Sequence, residues 1–271
     1  MWLLLGIILV LFIAILIIDF IACRSQKIER FEVPAKTITA AAIFAAHKMD
    51  EFDYKFIDKW KDIITFYVVV NGDATEWDDK IKNIDGVKYM NRENKGYDVY
   101  AWKAAMEKWN AELSQYDMVI LMNNSCIYNN DFRDLLIHAD GYDMFGLYPE
   151  SSNFSLFFKN GVLPGTRNIQ SYCIVIGKSL YNSDDFKKYW KEMPKITGHV
   201  SAVHNHEFRF GKHFDKLGYR IGVYIYPVCG EWVYDRDKRL DHDKFKLGFI
   251  KRKTVKNNQK VLNEFLEKTQ N

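Results

Sequence analysis

Between Thr37 and Met122 short apolar runs alternate with amphipathic stretches, and this alternation constrains the fold more than any other feature of the sequence. The runs TITAAAIFAA (37–46), IITFYVVV (63–70) and YDMVILM (116–122) are almost wholly apolar, the pattern of strands buried on both faces. Between them FDYKFIDKW (52–60) and TEWDDKIKNI (75–84) have helical spacing, and GVKYM (86–90) adds a short strand. Strands that alternate with helices imply a parallel sheet joined by crossover helices. Asp98 is placed to cap the next helix, on which Val99, Trp102, Met106 and Trp109 fall on one face.

After Ser125 the pattern loosens. DMFGLY (143–148), IQSYCIVIG (169–177) and GYRIGVYIYPV (218–228) read as strands, and SDDFKKYWKEM (183–193) and HEFRFGKHFDKL (206–217) as helices. The expected domain spans residues 37–250. Residues 251–271, rich in lysine and asparagine, read as a solvated helix or tail without chemistry of its own.

The chain starts differently. Trp2 to Ala22 is apolar but for Asp19, and at about 1.5 Å per residue such a helix matches the roughly 30 Å hydrocarbon core of a bilayer. Residues 1–23 are therefore expected to form a single transmembrane anchor, with residues 2–22 in the membrane, and 24–36, charged and containing Pro34, a tether. Arg24, Lys27 and Arg30 follow the span and no basic residue precedes it, so the domain is expected in the cytosol, with a luminal orientation as the alternative. A net charge of +3 from 38 basic and 35 acidic residues demands no nucleic acid partner. Cys23, Cys126, Cys173 and Cys229 lack the spacing of a zinc site and read as free, buried thiols.

In open α/β sheets, ligands bind beyond the carboxyl ends of the strands. There the residue types change. Asn91 to Asp98 form a polar loop with a glycine at a helix entry, suited to the diphosphate or sugar hydroxyls of an activated donor. After the fourth strand Asn123, Asn124 and Ser125 offer neutral oxygens and hydrogen bonds but no acid, so a divalent cation such as Mg²⁺ or Mn²⁺ is assigned no ligands. His204 and His206 are two apart and point to different faces of a helix, and neither they nor His199 are assigned to a metal. Gln170 offers an amide to an acceptor hydroxyl and Tyr172 a ring to stack on a sugar, with strand-edge packing as the alternative for both.

The blocks NRENKGYDVYAWKAAME, YDMVILMNNSCIY, DMFGLY and NIQSYCIVI, followed by a lone glutamate before FDKLGYRI, resemble in order and spacing the rhamnan synthesis protein F family over roughly Ala40 to Ile225. The first block matches the family pattern at Asn94, Gly96, Asp98, Trp102 and Lys103, while Asn124 stands where the family has an aspartate. The resemblance implies a GT-A-like (Rossmann-like) α/β fold with a mixed, mostly parallel sheet, and a transferase moving a sugar from a nucleoside diphosphate donor to a glycan acceptor. Asn94, Gly96, Asp98, Lys103, Asn123, Asn124 and Ser125 are then expected on the donor, and Asp143, Gln170, Ser171 and Tyr172 on the acceptor. Glu207 stands where inverting enzymes of this kind place the carboxylate that takes the acceptor's proton. Lys95, Lys103 or Arg167 are the cations expected to neutralise the leaving diphosphate. A non-catalytic glycan-binding or scaffold protein on the same fold is the alternative, favoured by Asn124, and a nucleotide-sugar hydrolase is a lesser one.

Overall fold

The computed structural model describes residues 38–147, 169–224, 247–256 and 258–267. The expected membrane span, its tether, Cys23, Cys229 and Arg167 lie outside these residues. Among the described residues no helix is long and apolar enough to cross a membrane.

The alternation yields β1 (Ala40–Ala46), α1 (Glu51–Trp60), β2 (Ile64–Asn71), α2 (Glu76–Lys82), β3 (Lys88–Arg92), α3 (Tyr97–Leu113) and β4 (Met118–Asn123). Both short helices begin with a reciprocal cap. Asp50 accepts from the amides of Phe52 and Asp53 while Asp53 accepts from the Asp50 amide, and Thr75 and Asp78 repeat the arrangement at α2. Strands β3, β2, β1 and β4 lie side by side in parallel. β6 (Met144–Gly146) and β8 (Ile221–Val223) extend the sheet in the same direction, and β7 (Cys173–Gly177), inserted between β4 and β6, is antiparallel to both. The result is a seven-stranded sheet of order β3-β2-β1-β4-β7-β6-β8, mixed and mostly parallel as expected.

Successive side chains of each strand feed opposite cores. Phe44, Phe66, Val68 and Ile120 face α1 and α4 (Phe132–Ala139), meeting Phe56, Trp60, Phe132 and Leu135. Ile43, Tyr67, Val69, Val119 and Leu121 face the other way, against Trp102 and Trp109 of α3, Trp190 of α6 (Asp184–Glu192) and Phe210 and Phe214 of α8 (Phe208–Lys216). Burial on both faces is why these strands are continuous apolar runs and not alternating ones. Between β7 and α6 lies α5 (Lys178–Asn182). Between α6 and α8 come α7 (His199–Ala202) and a single π-helical turn, Val203–Glu207. Cys126 and Cys173 are buried free thiols.

Two regions depart from expectation. Residues 126–139, without a clear pattern in the sequence, form β5 (Cys126–Asn130) and α4. The segment from Lys251 is no free tail. β9 (Leu247–Lys251) pairs antiparallel with β5, and α9 (Arg252–Val255) and α10 (Gln259–Glu267) bury Val255, Leu262 and Phe265 against Ile127 and Ile250. Arg252 pairs with Asp50, and at 2.6 Å with the buried Asp53. Lys251, Lys253, Lys256 and Lys260 crowd the start of this stretch, so its composition as a whole hid the amphipathic α10, whose apolar residues Val261, Leu262, Phe265 and Leu266 follow and which the β5 surface completes.

Candidate functional site

All parallel strands end at one edge of the sheet, and there the chain becomes polar. At the end of β2, Asn71 is buried. Its amide donates to the Tyr97 carbonyl at 3.2 Å, and its side-chain oxygen accepts from Arg92 at 2.6 Å. Arg92 also donates to the Lys95 carbonyl at 2.9 Å, closing the loop that leads from β3 to α3. Burial pushes its guanidinium pKa down. His47, which follows β1, donates from Nδ1 to the Asn71 carbonyl at 2.8 Å and lies 3.4 Å from the Asn94 amide. Asn71 and His47 were not singled out from the sequence, and Arg92 entered only as part of the polar loop Asn91 to Asp98. Their signal was the abrupt polar residue at the end of each apolar run.

The helix entry is tighter than expected. Gly96, and not Asp98, is the N-cap of α3, in the left-handed region at φ 74°. A side chain there would collide with the Tyr100 ring, whose Cδ2 lies 2.0 Å from the position of a Cβ. Tyr97 follows at φ 55°, the one non-glycine residue with positive φ among the described residues. Asp98 therefore sits one position inside the helix, and its carboxylate turns to the sheet instead of capping. It accepts from the Asn123 amide at 2.7 Å. The Asn123 oxygen in turn accepts from the Ser125 amide at 3.1 Å and the Ser125 hydroxyl at 2.5 Å. Burial pushes the Asp98 carboxyl up to about 6, the Asn123 hydrogen bond pulls it down, and the nearby charge of Glu207 raises it. Glu207 ends the π-helical turn. Such turns project one residue out of helical register and are frequent at functional sites.

Asp98, Asn123, Ser125 and Glu207 are thus brought together at this edge. Gln170 and Ser171 are half-buried on the approach to β7, which pairs with the end of β4, so they lie at the same edge. Asn94 is exposed on the β3–α3 loop, and Lys95, also exposed, pairs with Glu93 at 2.7 Å.

The remaining candidates lie elsewhere. The Asn124 side chain turns away from the crevice, donating to the Lys48 carbonyl at 2.8 Å and to Asp53 at 3.2 Å. Tyr172 is 3% exposed and packs its ring on Phe249, with the Lys251 ammonium 4.7 Å from its centroid, so it has no free face for a sugar. Lys103, five residues beyond Asp98, points into an open groove of about 330 Å³ between α3 and α6, lined also by Glu107, Tyr181 and Trp190. Asp143 precedes β6, whose start lies at the opposite edge of the sheet, roughly the 17 Å length of β4 away. There it accepts from the Ser179 hydroxyl at 2.7 Å and the Arg220 amide at 2.8 Å, which makes it a pin between elements. Of the histidines, His206 is buried, stacked on Phe210 with centroids 4.7 Å apart, and desolvation pushes its pKa down to about 3. His199 and His204 are exposed.

Among solved structures, HddC from Yersinia pseudotuberculosis is similar over 84% of this chain and 100% of its own, at 12% identity and a TM-score of 0.46. The inositol-1-phosphate CTP transferase from T. maritima is similar over 87% and 97%, at 14% identity and a TM-score of 0.46. The glycosyltransferase GlyE from Streptococcus pneumoniae TIGR4, in its apo form, is similar over 68% of this chain and 45% of its own, at 12% identity and a TM-score of 0.36. No curated protein matches the chain by sequence. The family of rhamnan synthesis protein F matches residues 66–271, a stretch that takes in the β3–α3 loop, Asn123, Ser125 and Glu207, and the chain belongs to that family.

Proposed function

We propose that the protein is a glycosyltransferase with a GT-A-like sheet that moves a sugar from a nucleoside diphosphate donor to a glycan acceptor. The observation that carries this reading is the meeting of Asp98 and Glu207 beside Asn123 and Ser125, at the carboxyl ends of the parallel strands. In the proposed reaction the donor diphosphate lies against the β3–α3 loop, where the amides at the start of the 17-residue α3 and the Arg92 guanidinium face developing negative charge. Glu207 takes the proton of an acceptor hydroxyl, whose oxygen attacks the anomeric carbon as the bond to the diphosphate oxygen breaks, inverting that centre. Asp98 and Asn123 orient the donor. Rhamnose as the transferred sugar fits the family name alone. In the same proposal, residues 2–22 hold the domain at the cytosolic face of a membrane, near a membrane-borne acceptor.

A second reading, a glycan-binding protein without turnover, is favoured by Asn124, which supplies no acid and is spent on Lys48 and Asp53. The two are separated by melting the protein with a panel of nucleoside diphosphate sugars, each with and without Mg²⁺ or Mn²⁺, and assaying transfer with any donor that binds. A ligand at about 100 times its dissociation constant adds about 2.7 kcal/mol to stability. A rise in Tm with one donor, accompanied by glycoside formation, supports the transferase. A rise without turnover supports a protein that binds without catalysis, and no rise with any donor, in protein that melts cooperatively, contradicts the transferase and favours the glycan-binding reading.

A further inference from the structure

Tyr97 combines two unfavourable features. Its backbone sits at φ 55°, in the left-handed region that bulky residues rarely enter, and its ring is 44% exposed. A glycine or asparagine would make the same turn without strain. The neighbouring contacts fix the conformation and not the ring. Gly96 cannot carry a side chain beside Tyr100, Tyr100 accepts from the Ile196 amide at 2.9 Å, and the Tyr97 carbonyl is held by Asn71. The ring itself is left facing outward, with the His199 imidazole edge-on at 6.0 Å and Val200 69% exposed beside it in sequence. Strain kept without a packing return points to a function for the side chain.

The position defines that function. Tyr97 immediately precedes Asp98, and His199 begins the segment that ends in Glu207, so the aromatic pair flanks the two carboxylates. We infer that Tyr97, with His199 at its edge, is the platform on which the acceptor sugar stacks. An aromatic face beside hydrogen-bond-accepting carboxylates matches a pyranose, whose C–H face is apolar and whose rim carries hydroxyl donors. It takes the role that the buried Tyr172 cannot fill. The inference rests on the transferase reading for its acceptor and names a specific binding residue that reading lacks.

The test uses the full chain with Tyr97→Asn, which suits the left-handed backbone without the ring, and Tyr97→Phe, which keeps the ring. Asparagine is expected to melt no lower than wild type, to bind the donor within about twofold, and to raise the acceptor KM at least about tenfold with kcat within about threefold. Phenylalanine should keep KM within about threefold. An unchanged acceptor KM in the asparagine variant overturns the proposal. So does a loss confined to donor affinity, which would assign the ring to the nucleobase. Should the wild type transfer no sugar at all, the transferase reading fails separately, and titrating a rhamnose trisaccharide into both proteins by NMR still decides the platform: weaker binding by the variant upholds it, and equal or absent binding overturns it.

Discussion

The two edges of the sheet use the same residue types to opposite ends. At the amino edge Asp117 accepts from the Thr39 amide and hydroxyl, at 3.1 and 2.9 Å, and Asp143 accepts from Ser179 and Arg220, so both carboxylates are spent on joining elements. At the carboxyl edge Asp98 is pushed up to about 6, a glutamate leaves a π-helical turn beside it, and a tyrosine is strained and exposed. A fold that satisfies carboxylates fully at one edge is capable of doing so at the other. Departures gathered at a single edge mark where stability has been given up for chemistry.

The largest expected effect separates the edges by rate. Glu207→Gln should lower kcat by roughly 10²–10⁴, the usual contribution of a positioned acid or base, and Asp98→Asn, which loses a donor-orienting carboxylate, should lower kcat/KM, whereas Asp143→Asn should leave turnover within about threefold. Steady-state product formation measures all three.

Stability should divide the carboxyl edge itself, where Asp50 and Asp53 open the helix that follows β1. Arg252→Met strands the buried Asp53, the same carboxylate that receives Asn124, and removing one partner of a buried pair costs about 3–5 kcal/mol by urea denaturation. Burial lifts Asp53 to about 7 even against the Arg252 charge, so loss of the guanidinium should push it higher still. Asp98→Asn should do the opposite. Because the folded Asp98 carboxyl is raised from 3.8 to about 6, the stability it contributes is fully present below about 4 and lost as pH rises through 6. The asparagine variant escapes this loss and should be the more stable protein at pH 7.5, by on the order of 3 kcal/mol, with the gap closing near pH 4. The smallest effect is at the pin: Asp143→Ala leaves the Ser179 hydroxyl and the Arg220 amide without their acceptor, for about 1–2 kcal/mol in melting experiments.

The sequence made the parallel half of the sheet legible because β1, β2 and β4 are buried on both faces and their apolar runs admit one reading. It misled where a residue's partner is distant in sequence. Asp98 has the composition of a cap, yet Gly96 takes that position and Asp98 reaches Asn123, 25 residues on. Asp143 reads as a site acid until the inserted β7 reverses the sheet and sets the start of β6 at the far edge. Tyr172 lost its exposed face to β9, a strand at the end of the expected domain that was not read from the sequence. Asn123 and Ser125 were legible at the end of the apolar β4 run, whereas Glu207, inside the expected helix 206–217, was picked out through the family resemblance.

The most direct test of the account is to follow donor binding and glycoside formation together in wild type and Glu207→Gln. The account predicts that the variant keeps the donor-induced rise in Tm and forms no glycosidic product. A Glu207→Gln protein that transfers sugar at the wild-type rate would contradict it.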